Sequence, residues 1–342
     1  MAYLAATLLN EYRAKYGNLD NYEHRVSRYG AFDAFVSDTP NLLPDRAQIE
    51  AGRADQNRAT KIPVINKVTF TIGSTRTCTA QTKTNVSALV TVTYVTITGG
   101  FHMIPAQFRG NELSYQDDFN VKMSSLERDL LAHLDGLAVT KFGTIKSQVF
   151  AADGNPYDFT SDAIVVPAGD EETMFGELEA AFAQDDFYGN VHVVSSPRLL
   201  ALVRHLGAQG PSNDENLAYQ FAGWNFRATN RITPTALSRD TFYAYQQGSL
   251  AFLNWNDVDS QMGHKSTSGK EWSEQYLPKV GLSMGLLYQS DCGDQSTEVG
   301  SGFEASLKES FLFSTDVAFV SAYNSDAATY ASPIYKVELK KQ

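Results

Sequence analysis

The sequence predicts an α+β protein, and three observations predict it. Met123, Leu126, Leu130, Leu134, Leu137, Ile145 and Val149 form one apolar stripe at three- and four-residue steps, which is the period of a long helix. Residues 60–98 and the tail from Gly302 to Val337 alternate with period two and are rich in β-branched and aromatic residues, which is the pattern of strands. Between them, residues 164–207 run strand, helix, strand, helix, the order of an α/β unit.

Taken in order, Leu4, Leu8, Tyr12 and Tyr16 recur every four residues before Gly17, so a short amphipathic helix opens the chain. Residues 18–50 hold no sustained period and include Pro40 and Pro44, so they are expected to form an arm that runs over a surface and stays outside any core. Lys61-Ile62-Pro63-Val64-Ile65 is expected as an edge strand, because Pro63 has no amide to donate to a ladder. Val68, Phe70 and Ile72 alternate with threonines, and so do Val90, Val92 and Tyr94; the Thr-rich stretch Gly73–Ser87 between them is expected as an exposed turn or extended hairpin. Gly99-Gly100 is expected to end the strand.

The long helix is expected over Gln116–Val149, about 50 Å at 1.5 Å per residue, with Asp117 and Asp118 at its positive N-terminal end. Ile164-Val165-Val166 is a short strand. Asp170 is expected to cap the helix that carries Phe175, Leu178 and Phe182. Val191–Val194 is the next strand. Ser196 caps the following helix, with Pro197 in its first position, and Gly207 is expected to stop it before a polar loop to Asn216. Thr241–Tyr245 and Ser249–Leu253 are expected as the two arms of a hairpin about Gln246-Gln247-Gly248. The tail strands are expected to return beside the long helix.

Charge is unevenly placed. Net charge is -11, yet Arg46 to Lys83 carries Arg46, Arg53, Arg58, Lys61, Lys67, Arg76 and Lys83 against only Glu50 and Asp55. A basic, strand-rich segment on an acidic body suits docking onto another copy of the same chain, by an attraction that salt would screen. Phe70 is the one aromatic within that segment, which argues against a nucleic-acid platform of stacked bases. The acidic balance argues against general nucleic-acid binding by the whole surface. Cys78 and Cys292 form neither a disulfide framework nor a CxxC site, and two reduced thiols are expected. The N-terminus lacks the basic start of a signal peptide, and no run approaches about 18 apolar residues, so a soluble protein made in the cytoplasm is expected, with no membrane partner.

The motifs that could carry chemistry are weak. Gly281-Leu282-Ser283-Met284-Gly285 matches G-x-S-x-G, but a nucleophile elbow needs a later histidine, and the last of the six is His264. Asp117-Asp118 and Asp185-Asp186 fit helix ends better than a catalytic pair. His102, alone between Phe101 and Met103, is expected to be structural. No phosphate loop, dinucleotide fingerprint or HExxH is present, so no enzyme, cofactor or metal is expected.

This order of elements resembles the tailed-bacteriophage major capsid proteins of the Hong Kong 97-type fold. The match lies in texture across nearly the whole chain: Gln48 to Ile97, with Lys61-Ile62-Pro63-Val64 inside it, looks like the extended E-loop hairpin. Phe101 to Phe119 looks like the approach to the spine helix, Met123 to Val149 like that helix, and Asn190 to Leu202 like the strand–helix unit of the axial domain. The resemblance implies a Hong Kong 97-type capsid fold with an N-terminal arm over 1–47, an E-loop hairpin over 48–100 and a peripheral domain with the spine helix over 101–160. An axial α/β domain over 161–289 and C-terminal strands over 290–342 that rejoin the peripheral domain would complete it.

It further implies self-assembly in pentamers and hexamers into an icosahedral shell that encloses double-stranded DNA without reading its sequence. Implied partners are a portal protein and separate scaffold or decoration proteins; implied locations are the virion and, during assembly, the host cytoplasm. Arg53, Arg58, Lys61 and Lys67 would contact a neighbour, Gly207, Gly210, Asn213 and Asn216 would form a loop near the capsomer axis, and Leu126, Leu130, Leu134 and Leu137 would be the spine-helix core. An encapsulin-type bacterial compartment shell is the alternative within the same fold, and a soluble hydrolase using Ser283 is the alternative outside it.

Overall fold

The computed structural model describes residues 2–16, 28–43, 61–65, 87–108, 112–150, 156–185, 187, 189–209, 224–256, 270–293, 306–323 and 331–341. In chain order the elements are α1 (Ala2–Tyr16), α2 (Gly30–Leu42), β1 (Lys61–Ile65), β2 (Ser87–Thr91), β3 (Val95–Met103), α3 (Glu112–Ile145), β4 (Asp158–Thr160), β5 (Ala163–Val166), α4 (Met174–Gln184), β6 (Val191–Ser195) and α5 (Pro197–Gln209). The chain continues with β7 (Asn225–Ala228), β8 (Ser238–Gln246), β9 (Leu250–Trp255), β10 (Lys270–Leu277), β11 (Leu282–Gly293), β12 (Ser306–Ser321) and β13 (Ile334–Lys340). It divides into two compact units. The first comprises Met1–His24, Tyr94–Leu134 and Leu253–Ala318; the second comprises Arg25–Thr93, Asp135–Phe252 and Phe319–Gln342.

In the first unit an antiparallel sheet runs β10-β11-β12-β3. Phe101, Phe119 and Phe311 pack ring on ring, with centroids 5.3–5.5 Å apart, and join β3 and β12 to α3. Gly99-Gly100 does not end β3 but lies inside it. The reason is close approach: a Cβ on Gly99 would come within 2.9 Å of Leu126 Cδ1, and one on Gly100 within 2.5 Å of the Phe311 carbonyl oxygen. The pair lets the helix and the neighbouring strand close on β3 where a side chain would hold them off.

In the second unit a mixed sheet runs β4-β5-β13-β8-β6-β7, with β5–β13 and β6–β7 parallel. Both faces are covered, which is why β6 and most of β8 are buried at successive positions and not at alternate ones. On one face Phe242, Val193, Tyr335 and Val337 meet Phe175, Leu178 and Phe182 of α4 and Leu199 of α5. On the other, Phe142 of α3 stacks on Tyr243 at 5.2 Å and meets Phe35 of α2 at 5.0 Å.

Several expectations need correction. The segment 30–42, expected to lie outside any core, is a helix with Phe32 and Phe35 fully buried. Its period was hidden because Asp33, Asp38 and Thr39 are buried with them. In α1, Leu8, Leu9 and Tyr12 are likewise buried in the first unit. The long helix starts earlier than expected, at Glu112, so Asp117 and Asp118 lie in its second turn. It stops at Ile145 because the next groups find partners elsewhere: Ser147 N–H donates to Ile334 O at 2.7 Å, and Ser332 Oγ donates to Ile145 O at 2.9 Å.

The α4 helix begins at Met174, with Thr173 and not Asp170 at its cap. Ser196 accepts the Arg198 amide at 3.1 Å as expected of a cap. The alternation at 90–97 is split into β2 and β3 by residues 92–94. The β8–β9 hairpin does not form: β8 is flanked by β13 and β6, so both its edges are taken, and β9 pairs with β12 instead. The turn between them uses Gly248 at φ 84. The tail strand β13 sits between β5 and β8 in the mixed sheet of the second unit, while β10 and β11 lie in one sheet with β12 and β3.

The glycine geometry yields an expected outcome. Gly100→Ala forces a Cβ against a backbone carbonyl and is expected to cost about 1–3 kcal/mol in urea unfolding. Gly99→Ala meets only the ends of two leucine side chains and is expected to cost less. Equal costs would show that the strand pair yields as readily as a leucine rotamer.

Candidate assembly site

No catalytic constellation takes shape among the described residues. Ser283 lies inside β11, opposite Tyr276 of β10, and not on a strand-to-helix turn. No group of three or more His, Cys, Asp or Glu side chains among the described residues is placed to hold a metal. No helix of the described residues is long and apolar enough to cross a membrane. Cys292 is an exposed free thiol in β11, and Cys78 lies outside the described residues. His102 is exposed in β3, and its carbonyl oxygen accepts the Lys122 ammonium at 3.2 Å. Asp118 pairs with Lys122 at 2.8 Å one helical turn on, and Asp185 accepts the Tyr335 hydroxyl at the end of α4.

The β1 strand lies within the basic segment and β2 follows its end; Arg46, Arg53 and Arg58 precede β1, and Lys67, Arg76 and Lys83 fall between the two strands in sequence. The strands pair antiparallel, Lys61 opposite Thr91 and Ile65 opposite Ser87, as a two-stranded ribbon separate from both larger sheets. A lone ribbon is marginal in water. This one is seated in the second unit: Ile62 and Val64 are buried, and a cavity of about 190 Å³ beside them is lined by Val90, Val92, Lys141, Ile145 and Phe319. Lys61 is exposed at the start of β1. Arg53, Arg58 and Lys67 lie outside the described residues.

Of the other sequence-predicted positions, Leu130 and Leu134 are buried, 5% and 2% exposed, while Leu126 and Leu137 are half-buried. Gly207 does not stop its helix. It lies in the last turn of α5, which runs to Gln209; a glycine that near an end costs only about 1 kcal/mol. Gly210, Asn213 and Asn216 lie outside the described residues.

Sequence reasoning missed the buried polar groups, because a carboxylate on an apolar stripe reads as a break in it. Glu127 and Asp135 of α3 are both 0% exposed. Glu127 accepts the Tyr12 hydroxyl from α1, and the Lys279 amide approaches it at 3.4 Å. Asp135 accepts the Phe32 amide of α2 at 2.9 Å and the Thr229 hydroxyl, with Arg231 at 3.7 Å. Burial pushes both carboxyls above the ordinary carboxylate range, against the hydrogen bonds and cations that pull them down.

On α2 itself, Asp33 pairs with the buried Arg227 of β7 at 2.9 Å, and Arg227 also donates to Tyr245 and Ser37. Asp38 accepts the amides of Gly248 and Leu250 at 2.7 and 2.9 Å, and Thr39 Oγ1 accepts that of Phe252 at 2.8 Å. Asp38 thereby fixes the turn that sends the chain from one sheet to the other. Burial lowers the pKa of His192, which lies next to Tyr245.

The arrangement predicts a contrast in stability. Asp33→Ala strands a buried guanidinium and is expected to cost about 3–5 kcal/mol in chemical denaturation. Lys15→Ala removes an exposed pair with Asp117 at 3.8 Å and is expected to change stability by less than about 0.5 kcal/mol.

No family model matches the chain, and no curated protein matches it. Among solved structures the chain is similar to one from Mycobacterium phage Adephagia, at 12% identity over 84% of this chain and 86% of that chain, with a TM-score of 0.43. It is similar to a chain of the capsid of the cyanophage P-SCSP1u, at 8% identity over 83% of each chain and a TM-score of 0.42. It is also similar to a chain of the satellite phage P4 procapsid that includes the size determination protein, at 11% identity over 86% of this chain and 91% of that chain, with a TM-score of 0.39.

Proposed function

We propose that the chain is a major capsid protein of the Hong Kong 97-type fold that assembles with copies of itself into the icosahedral shell of a tailed phage, around double-stranded DNA. The observation that carries this reading is the β1–β2 ribbon. It stands apart from both larger sheets, is seated by Ile62 and Val64, and its β1 lies within the most basic stretch of an acidic chain, with Lys67, Arg76 and Lys83 falling between the two strands in sequence. A ribbon so placed is suited to lap a neighbour. The 34-residue α3, about 50 Å long, supplies the stiff beam that a thin shell subunit needs.

In this reading Arg53, Arg58, Lys61 and Lys67 meet an acidic surface of the adjacent copy, and the loop that includes Gly210, Asn213 and Asn216 lies near the capsomer axis, with Gly207 at the foot of its helix. Leu126, Leu130, Leu134 and Leu137 keep α3 packed. Each exposed ion pair contributes about 0–1 kcal/mol, but symmetry repeats it in every subunit, so weak contacts add across a closed particle. The acidic body suits a DNA container, because a basic lining would hold the entering duplex. Portal, scaffold and decoration proteins would be recruited to the same shell, in the host cytoplasm.

The test is assembly. The purified chain is expected to give closed shells in negative-stain images and a fast-sedimenting species; a uniform monomer under all conditions would overturn the reading. Reversing Arg53, Arg58, Lys61 and Lys67 to Glu is expected to abolish shells while circular dichroism stays unchanged. Full-sized particles from that variant would remove the electrostatic docking and leave the shell itself standing. Leu130→Asp is expected to cost several kcal/mol and yield insoluble or unassembled protein.

A further inference from the structure

A cavity of about 330 Å³ opens in the second unit where β6 and β13 end and β8 begins. Both strands run antiparallel to β8, so their carboxyl ends lie together there, the edge at which α/β sheets commonly take ligands. Asp240 of β8 lines the cavity, stands opposite Leu339 and is 2% exposed. Its Oδ1 accepts the Thr241 amide at 2.8 Å. Its Oδ2 is buried and has no hydrogen-bond partner among the described residues. The Ser196 hydroxyl, Arg198 and Arg239 lie near enough to favour the ionised form, but burial outweighs them and holds the carboxyl above the ordinary carboxylate range. Buried acceptors in folded proteins are nearly always paired, so Oδ2 offers a seat for a donor that enters through the cavity.

The remaining lining is of two kinds. Arg198, in the first turn of α5, and Arg239 are exposed, and Arg239 also lies 3.3 Å from Glu171. Leu199 and Leu339 are buried and Leu202 is half-buried, so the wall is aliphatic. The cavity therefore runs from two cations at the solvent side to one acid at the end of the sheet. A simple cation meets the two arginines there, and a simple anion meets Asp240. A metal ion finds a single carboxylate, fewer oxygen ligands than a hard cation takes. A small molecule that carries both charges on one carbon, with an aliphatic tail, satisfies every part of the lining. We infer that this cavity binds a free aliphatic α-amino acid as its zwitterion, the ammonium on Asp240 Oδ2, the carboxylate on Arg198 and Arg239, and the side chain against Leu199, Leu202 and Leu339. Its volume lies at the lower end of the roughly 300–1,000 Å³ usual for ligand sites, which suits so small a molecule. The inference stands whether or not the chain builds a shell.

The experiment is equilibrium dialysis of L-leucine against the purified full chain, beside L-leucinamide, which lacks the carboxylate, and isocaproate, which lacks the ammonium. The expected result is saturable leucine binding at about one per chain, with each analogue at least about tenfold weaker, because each loses one charge-assisted contact. Asp240→Asn keeps the shape and the acceptor for the Thr241 amide. It is expected to weaken leucine and leucinamide at least about tenfold and not to weaken isocaproate. Arg198→Gln is expected to weaken leucine and to leave leucinamide unchanged. Should Asp240→Asn fail to fold, Arg198→Gln, at an exposed position, carries the test. The inference is overturned by the absence of saturable leucine binding, or by either analogue binding as tightly as leucine. The readout is binding and not assembly, so its failure leaves the shell reading untouched.

Discussion

Glu127 and Asp135 set a condition that much of the rest obeys. A carboxylate taken wholly out of water costs several kcal/mol unless hydrogen bonds or opposite charge replace its hydration. Two such groups lie eight residues apart on α3, and in each unit the replacement comes from an N-terminal helix: the Tyr12 hydroxyl of α1 for Glu127, the Phe32 amide of α2 for Asp135. Neither carboxylate can be satisfied in this way until its helix has docked. The helices in turn bury Leu8, Leu9, Phe32 and Phe35 when they do. Apolar burial supplies attraction at about 1.5–3 kcal/mol per large side chain, without direction. The carboxylates supply the register, because only one docked position aligns the donors.

The same logic explains the path of the chain through the second unit. The β8 strand ends at Gln246 with its edges already occupied by β6 and β13. A short turn would ordinarily fold β9 back onto it. Instead Asp38 draws the amides of Gly248 and Leu250 toward α2, and Ala322 N–H donates to Ser249 O at 3.0 Å, which directs β9 to the end of β12. Phe252 then meets Phe319 and Phe32 at 5.2–5.3 Å. One buried acid on a helix far away in sequence thus decides which sheet a strand joins.

This is also where the sequence stops being legible. The long helix, the strands β1, β5, β6, β8, β9 and β12 and the capped α5 could be read because their signals are local: a 3.6 or 2.0 period, a proline at a first turn, a serine cap. The α2 helix could not, since Asp33, Asp38 and Thr39 sit on its buried face and erase the period that Phe32 and Phe35 would show. Gly99-Gly100 reads as a stop in one dimension and as a place of close approach in three. The pairing of β13 between β5 and β8 depends on residues about 90 to 175 positions earlier, and nothing near Ile334 announces it. Of the proposed contact residues, only Lys61 lies among the described residues, so the sequence argument for that surface rests on charge order and not on geometry.

A two-stranded ribbon carries a general hazard, since each strand has an outer row of amides and carbonyls without a ladder partner. Uncontrolled edge pairing would give open fibres, whereas a closed particle needs contacts that end at a fixed number of copies. The β1 strand limits such pairing in two ways. Pro63 removes one donor from its middle, and Lys61 places a charge at its start. The β2 strand opposes Pro63 with Leu89 and is short, five residues. A ribbon with a blunted edge, a charged entrance and an apolar seat at Ile62 and Val64 is poorly made for endless strand addition. Its remaining means of contact are side chains, whose charges and shapes can specify one partner surface at one angle. That restriction is what the proposed shell would demand of its subunit.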